Sequence, residues 1–156
     1  MEEITEGMKA PAFTAVDQDG KKIKLADFKG KKLALYFYPK DNTSTCTEQA
    51  CNLRDGFKGL AKKGITVVGV SPDDEKSHLK FIAKYDLPFP IIADTNKDLV
   101  EKYGVWGEKS MYGKKYMGVF RKTFLIDESG KILKIIEKPK VKVHADEIAE
   151  GFGVSL

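Results

Sequence analysis

Cys46 and Cys51 are the only thiols in a chain of 156 residues, and they stand five positions apart. A thiol reacts as its thiolate, and an unperturbed cysteine (pKa ~8.5) is only a few per cent ionised at neutral pH. A helix start changes that. Unpaired backbone N–H groups and the positive end of the macrodipole favour negative charge there. Helix N-termini and nearby cations bring cysteine pKa values down to ~3.5–7.5. Cys46 follows the loop Pro39-Lys-Asp-Asn-Thr43-Ser-Thr, and Cys46, Ala50, Leu53, Phe57, Leu60 and Ala61 recur at helical spacing. The pattern predicts a helix from Thr43 to about Lys63, stopped by Gly64. Cys46 then lies in its first turn.

Five positions are about 140° around a helix, so Cys51 falls off the apolar stripe that Cys46 continues. Ideal geometry separates their Cα atoms by roughly 8.6 Å. A disulfide needs Cα atoms within ~7 Å. In an intact helix the pair cannot bond, and bonding requires the first turns to unwind. Spacing alone also allows two buried structural cysteines, since free cysteine is among the most buried residue types. Zinc is a poorer reading. A closed structural site needs four ligands, and His78 and His144 lie far from both cysteines in sequence. The Cys-x-x-Cys of a thioredoxin-type reductase is absent.

The surrounding chain reads as alternating strands and helices. Phe13 to Val16, Asp17-Gln-Asp-Gly20 and Lys22 to Leu25 form an N-terminal β-hairpin with an Asp-Gly turn. Leu33 to Tyr38 is a continuous apolar run, hence a central strand, and Pro39 ends it. Ile65 to Val70 is a second buried strand. Ser71-Pro-Asp-Asp74 starts a helix with Leu79, Ile82 and Ala83 on one face. A brief strand, Pro90 to Ala93, and a helix, Asn96 to Tyr103, follow. Phe120 to Ile126 and Lys131 to Ile136 make an antiparallel pair about the turn Asp127–Gly130, and a helix from His144 to Phe152 closes the chain. Parallel strands joined by helices, then antiparallel strands, require an α/β fold with a mixed central sheet flanked by helices. That order is similar to the thioredoxin-like fold. Cys46 then sits at the carboxyl end of a strand, where open α/β sheets bind ligands.

Composition bounds the function. The chain is 42% hydrophobic and 32% charged with a net charge of +4, which fits one globular domain over residues 1–156. Lys138, Lys140 and Lys142 are the one local basic excess and read as a solvated edge rather than a nucleic-acid footprint. No apolar run approaches the ~20 residues of a membrane span. The first residues are acidic and lack an apolar signal region, so the expected compartment is the cytoplasm. Structural disulfides are rare there, and cysteine pairs tend to be catalytic, redox-sensing or metal-binding.

Pro39-x-x-x-Thr43-x-x-Cys46 resembles the active-site motif of the peroxiredoxins. The whole chain resembles their bacterioferritin-comigratory-protein class, also called peroxiredoxin Q. The matching segments are Asp17-Gln-Asp-Gly20, Tyr36-Phe-Tyr-Pro-Lys40, Cys46-Thr-x-Gln-Ala-Cys51-x-Leu-Arg54, Gly104-Val-Trp-Gly-Glu-Lys109 and Arg121-x-x-Phe-Leu-Ile-Asp127. The resemblance implies a thiol-dependent peroxidase acting on hydrogen peroxide and small alkyl hydroperoxides. It makes Cys46 the peroxidatic nucleophile and Cys51 the resolving thiol. Thr43 would hydrogen-bond the peroxide and the Cys46 sulfur, and Pro39 would shield the thiolate. Arg121 would stabilise the thiolate and orient the peroxide, with Gln49 supporting the arginine.

Each role has a plainer reading: Thr43 as a helix cap, Pro39 as a strand stop, Arg121 and Gln49 as surface residues, and Trp106 as packing. In the commonest form of the class Thr43 is followed by Pro and Gly. Ser44 and Thr45 stand here instead, which bears on local unfolding and substrate preference. The cycle implied needs no metal, haem, flavin or selenium. Its partners would be a hydroperoxide and a thioredoxin-like dithiol reductant, and the working unit a monomer, with no nucleic acid or membrane partner. Two other functions fit a redox-active cysteine pair: a protein thiol–disulfide oxidoreductase, and a redox-sensing or chaperone-like binding module.

Overall fold

The computed structural model describes residues 3–156. Strands β1 (Thr14–Val16) and β2 (Lys22–Lys24) form the expected antiparallel hairpin. The carboxylate of Asp17 accepts the N–H groups of Asp19 and Lys21, and Gly20 takes the positive φ that the turn requires. The apolar run becomes β3 (Lys32–Phe37). Helices α1 (Ser44–Asp55) and α2 (Phe57–Lys62) carry the chain over to β4 (Ile65–Ser71), parallel to β3. Helix α3 (Glu75–Tyr85) leads to the short parallel strand β5 (Ile91–Ala93), and α4 (Asp98–Lys102) follows. Next come β6 (Trp106–Met111), β7 (Lys114–Val119), β8 (Lys122–Ile126), β9 (Ile132–Ile136) and α5 (His144–Gly151).

The central sheet has the order β5-β4-β3-β8-β9, with β8 and β9 antiparallel. Side chains alternate between faces along each strand. On one face Ala34, Tyr36 and Val67 pack with Ala50, Leu53, Leu60, Phe81, Ile148 and Ala149 from α1, α2, α3 and α5. On the other, Leu33, Leu35 and Phe37 pack with Phe13, Ile23, Leu99, Val100 and Tyr103. Fully burying a residue such as Leu35 stabilises the fold by ~1.5–3 kcal/mol.

Three sequence expectations are corrected. The helix expected over Thr43–Lys63 is two helices meeting at Gly56. A Cβ on Gly56 would lie 2.5 Å from the Cβ of Ala145, so α5 passes too close to this junction for any larger residue to fit without a shift. The buried face of α3 is His78 and Phe81 with Ile82 partly covered; Leu79 is 46% exposed and Ala83 is exposed. The periodicity argument discounted His78 as polar and so shifted the face by one residue. Finally, β6 and β7 form a separate hairpin that the sequence did not announce, and Phe120 lies outside the strand expected to start there. Its two turn residues, Tyr112 and Gly113, both have positive φ, the geometry of a type I′ turn usually written with Asn or Gly at the first position.

Gly56→Ala tests the close approach. The Ala145 Cβ is fixed to the α5 backbone and cannot rotate away. The substitution is expected to destabilise the protein by ~1–3 kcal/mol in urea unfolding, as overpacked cores do, despite the better helix propensity of alanine.

Candidate active site

Thr43 is the N-cap of α1, and the N–H of Thr47 donates to its carbonyl at 2.9 Å. Its side chain does not cap the helix. The Thr43 hydroxyl donates instead to the carbonyl of Lys40 at 3.0 Å, so its proton is directed away from the Cys46 sulfur. No acidic residue occupies the first turn of α1. The dipole and orphan N–H groups there are therefore not taken up by a carboxylate. Cys46, the third residue of the helix, is 2% exposed. Cys51 lies on the same intact helix, half-buried, and both thiols are free.

The antiparallel register of β8 on β3 pairs Phe37 with Lys122 and so carries Arg121 to the carboxyl end of β3. The guanidinium of Arg121 donates through Nη2 to Cys46 Sγ at 3.1 Å and through Nη1 to Gln49 Oε1 at 2.5 Å. Gln49 is fully buried, which removes the solvated-surface reading. Its Nε2 has no protein partner. Pro39 is half-buried just after β3, and Trp106 packs into the far core beneath Lys97. The structure thus brings Cys46, Arg121 and Gln49 into contact, with Pro39 and Thr43 in the loop that enters α1.

Three neighbours went unassigned in the sequence. Lys109, on β6, lies across Gly118 and Phe120 toward the same end of the sheet. Burial lowers its ammonium pKa, as does repulsion from Arg121, while Cys46 acts in the opposite sense. Tyr36 lies under the site, its ring directly against Gly69 and stacked on Tyr38. Its buried hydroxyl has no partner, and burial first, then the charge of Cys46, pushes its pKa well above the ordinary phenol value. It is therefore a permanent donor. His144, at the start of α5, is edge-on to Tyr36. They come from a strand of the central sheet, a strand of the separate β6–β7 hairpin and the start of α5, and only the tertiary fold brings them toward Cys46.

Neither histidine is beside a cysteine. His78 Nδ1 faces Asp41 and its Nε2 faces the Ile92 carbonyl, while His144 bonds Thr123 and Glu147. Among the described residues, Asp41, Asp73 and His78 are the group whose possible ligand atoms converge within 4.8 Å, and these atoms already bond one another and their neighbours.

His144 gives a pH prediction. The carboxylate of Glu147 accepts its Nδ1–H at 2.9 Å, so the Nε2 of the neutral ring accepts the Thr123 hydroxyl at 2.8 Å. Burial lowers its pKa from 6.5, and Glu147 opposes that only in part. The unfolded chain takes up a proton that the folded chain resists. Stability from the neutral ring is complete above the unfolded value and is lost as pH falls through and below it. Urea unfolding at about pH 7.5 and about pH 5.5 should show a larger loss for the native protein than for His144→Gln.

Residues 7–135 match the AhpC/TSA family. The chain is 47% identical over 145 residues to a protein of Coxiella burnetii named a putative peroxiredoxin bcp, covering 93% of this chain and 96% of that one. It is 45% identical over 144 residues to the peroxiredoxin Bcp of Bacillus subtilis, covering 92% of each. Among solved structures it is similar to the bacterioferritin comigratory protein of Xanthomonas campestris, studied for alkyl peroxide reduction activity, with TM-score 0.87, 32% identity and 96% and 98% of the two chains covered. The structural likeness covers the central sheet and the helices on it, including α1 with Cys46 near its start. The chain belongs to the AhpC/TSA family as a peroxiredoxin of the Bcp class, a thiol-dependent peroxidase.

Proposed function

We propose that Cys46 is the nucleophile of this peroxidase and that Cys51 closes an intramolecular disulfide with it. The observation that carries the reading is the Arg121 guanidinium at 3.1 Å from the Cys46 sulfur, with its other arm fixed on buried Gln49. A planar guanidinium held at two points presents a directed N–H and a positive charge to one face of the sulfur. Negative charge on sulfur, and later on the peroxide oxygens, develops against donors already in place.

The thiolate of Cys46 attacks the terminal peroxide oxygen in line. The O–O bond breaks, Cys46 becomes a sulfenic acid, and the leaving alkoxide or hydroxide takes a proton to depart as alcohol or water. Thr43 keeps its lone pairs free because its proton goes to Lys40, so its oxygen accepts the peroxide O–H. Pro39 screens the sulfur from bulk water. The first turns of α1 then unwind, and the Cys51 thiolate attacks the sulfenic sulfur: the S–S bond forms, the S–O bond breaks, and the hydroxide takes up the proton that the Cys51 thiol gave up and leaves as water. A dithiol of the thioredoxin type restores both thiols by exchange. Hydrogen peroxide and organic hydroperoxides are the proposed substrates. The activity ascribed to the Xanthomonas relative supports the alkyl class. The disulfide needs no second chain, which suits a monomer, and recycling by a dithiol suits a reducing compartment such as the cytoplasm.

Mass spectrometry before and after one equivalent of hydrogen peroxide checks the cycle. The expected product has lost two hydrogens and yields a peptide linking Cys46 to Cys51; retention of both thiols by folded, reduced protein would refute the assignment. Cys46→Ser should abolish turnover, and Cys51→Ser should permit one oxidation event without recycling. Arg121→Lys keeps the charge but loses the two-point fork. It is expected to lower kcat/KM for peroxide by ~10²-fold in steady-state kinetics, the scale of losing one preorganised donor.

A further inference from the structure

The loop Pro39–Thr43 delivers the chain into α1, and one buried side chain anchors it. Asp41 is 5% exposed. Its Oδ1 accepts the Tyr38 hydroxyl at 2.5 Å, and its Oδ2 accepts the Ser77 hydroxyl at 2.8 Å and faces His78 Nδ1 at 2.7 Å. Its backbone N–H donates to Asp73 Oδ2 at 2.8 Å, and that oxygen also accepts the Ser71 hydroxyl. His78 is fully buried, and its Nε2 lies 3.0 Å from the Ile92 carbonyl. A carbonyl only accepts, so Nε2 is the nitrogen that donates to it. The amide and both carboxylate oxygens of Asp41 are thus tied to Tyr38 just past β3, to Asp73 between β4 and α3, and to Ser77 and His78 of α3.

The loop itself is held in an unusual conformation. Asn42 has φ 62°, in the left-handed region. The Thr43 hydroxyl closes the loop on Lys40. Immediately beyond, the order changes. The first turn of α1 has no side-chain cap. A firmly bonded loop therefore abuts a weakly terminated helix, with Cys46 just inside the weak part.

We propose that Asp41 and His78 are a positioning pair for the peroxidase, clamping the Pro39–Thr43 loop so that opening is confined to the first turns of α1. Neither residue touches the sulfur. The pair acts through the loop, holding Cys46 against Arg121 for the peroxide step and resisting its release for disulfide closure. This rests on the reading of a Cys46–Cys51 disulfide cycle.

Two rates, measured separately by rapid kinetics, test it: oxidation of Cys46 by peroxide, and closure of the disulfide. Asp41→Asn and His78→Gln should slow the first ~10- to 100-fold, the range for a misplaced reacting group. They should speed the second, with less sulfinic acid formed per turnover. Global destabilisation alone would not move the two rates in opposite directions. Unchanged rates, or both slowed in parallel, would overturn the clamp. Ser77→Ala removes a single donor and should show the same opposed pattern more weakly if the stronger variants fail to fold. Hydrogen exchange of the oxidised native protein adds a readout without substitution. The Asp41 amide should stay protected while those of the first turns of α1 exchange; loss of protection at Asp41 overturns the clamp. Absence of any Cys46–Cys51 disulfide in the native protein would overturn the cycle itself, whereas a normal disulfide with an unaltered rate ratio in the variants overturns only the clamp.

Discussion

The contact between Arg121 and Cys46 joins residues 75 positions apart, and most of the fold is needed to make it. Arg121 arrives only because β8 runs antiparallel beside β3 in a sheet whose other neighbour, β4, is parallel. Cys46 arrives only because Ala50 and Leu53 seat α1 on the same face of that sheet. Gln49 completes the geometry from inside the helix, and it is buried by the packing that buries Cys46. A long flexible cation would otherwise lose considerable rotamer freedom on being fixed. Here that cost is shared between a sulfur and an amide already held by the core.

The same cysteine has to be ordered for one step and released for the next. The helix start reconciles these demands through what it lacks. With no acidic residue in the first turn, and with the Thr43 hydroxyl turned to Lys40, the N-terminal N–H groups are left for an anion. A missing side-chain cap weakens a helix terminus by roughly 0.5–2 kcal/mol. That is a modest cost for a folded domain and a useful reduction in the work of unwinding one turn. Ser44 and Thr45, where proline and glycine are more usual, act in this segment. Thr45 is β-branched and stiff at χ1, so it restricts the local chain more than glycine would.

How much was legible in the sequence follows from how local each feature is. Cys46 at a helix start was readable because strand end, loop and helix start are contiguous, whereas Thr43 and Pro39 read locally only as a cap and a strand stop and took their site roles from resemblance. The apolar runs placed β3 and β4 because buried strands leave an unbroken signature, and the turn Asp127–Gly130 placed β8 against β9. Arg121 and Gln49 carried no local signal and were reached only through resemblance. The phase of α3 was misread because His78 is polar by type yet fully buried, its ring satisfied by Asp41 from 37 residues away. The β6–β7 hairpin was invisible for the opposite reason. It is largely exposed, lacks an apolar run, and turns through Tyr112, a residue that seldom adopts positive φ. Gly56 was read as one more helical position. Its close approach to Ala145 belongs to tertiary packing and leaves no mark on periodicity.

The sheet face under α1 changes in chemistry from row to row, and that gradient locates the site. Ala34, flanked by Val67 and Leu125, is wholly apolar. Tyr36, flanked by Gly69 and Thr123, is mixed, and it adds a phenol held protonated by burial and a hydroxyl bound to His144. Continuing the register one step further sets Tyr38 between Ser71 and Arg121, where every residue offers a polar group. Polarity therefore rises toward the carboxyl ends of the parallel strands, the end at which open α/β sheets take ligands. Isolated polar groups at this depth would be costly. In the last row they are tolerated because each strand end supplies partners for its neighbour, with Tyr38 and Ser71 serving the loop before α1 and Arg121 serving the sulfur within it. The apolar rows give the sheet its stability, and the last row converts that rigidity into fixed positions for charge.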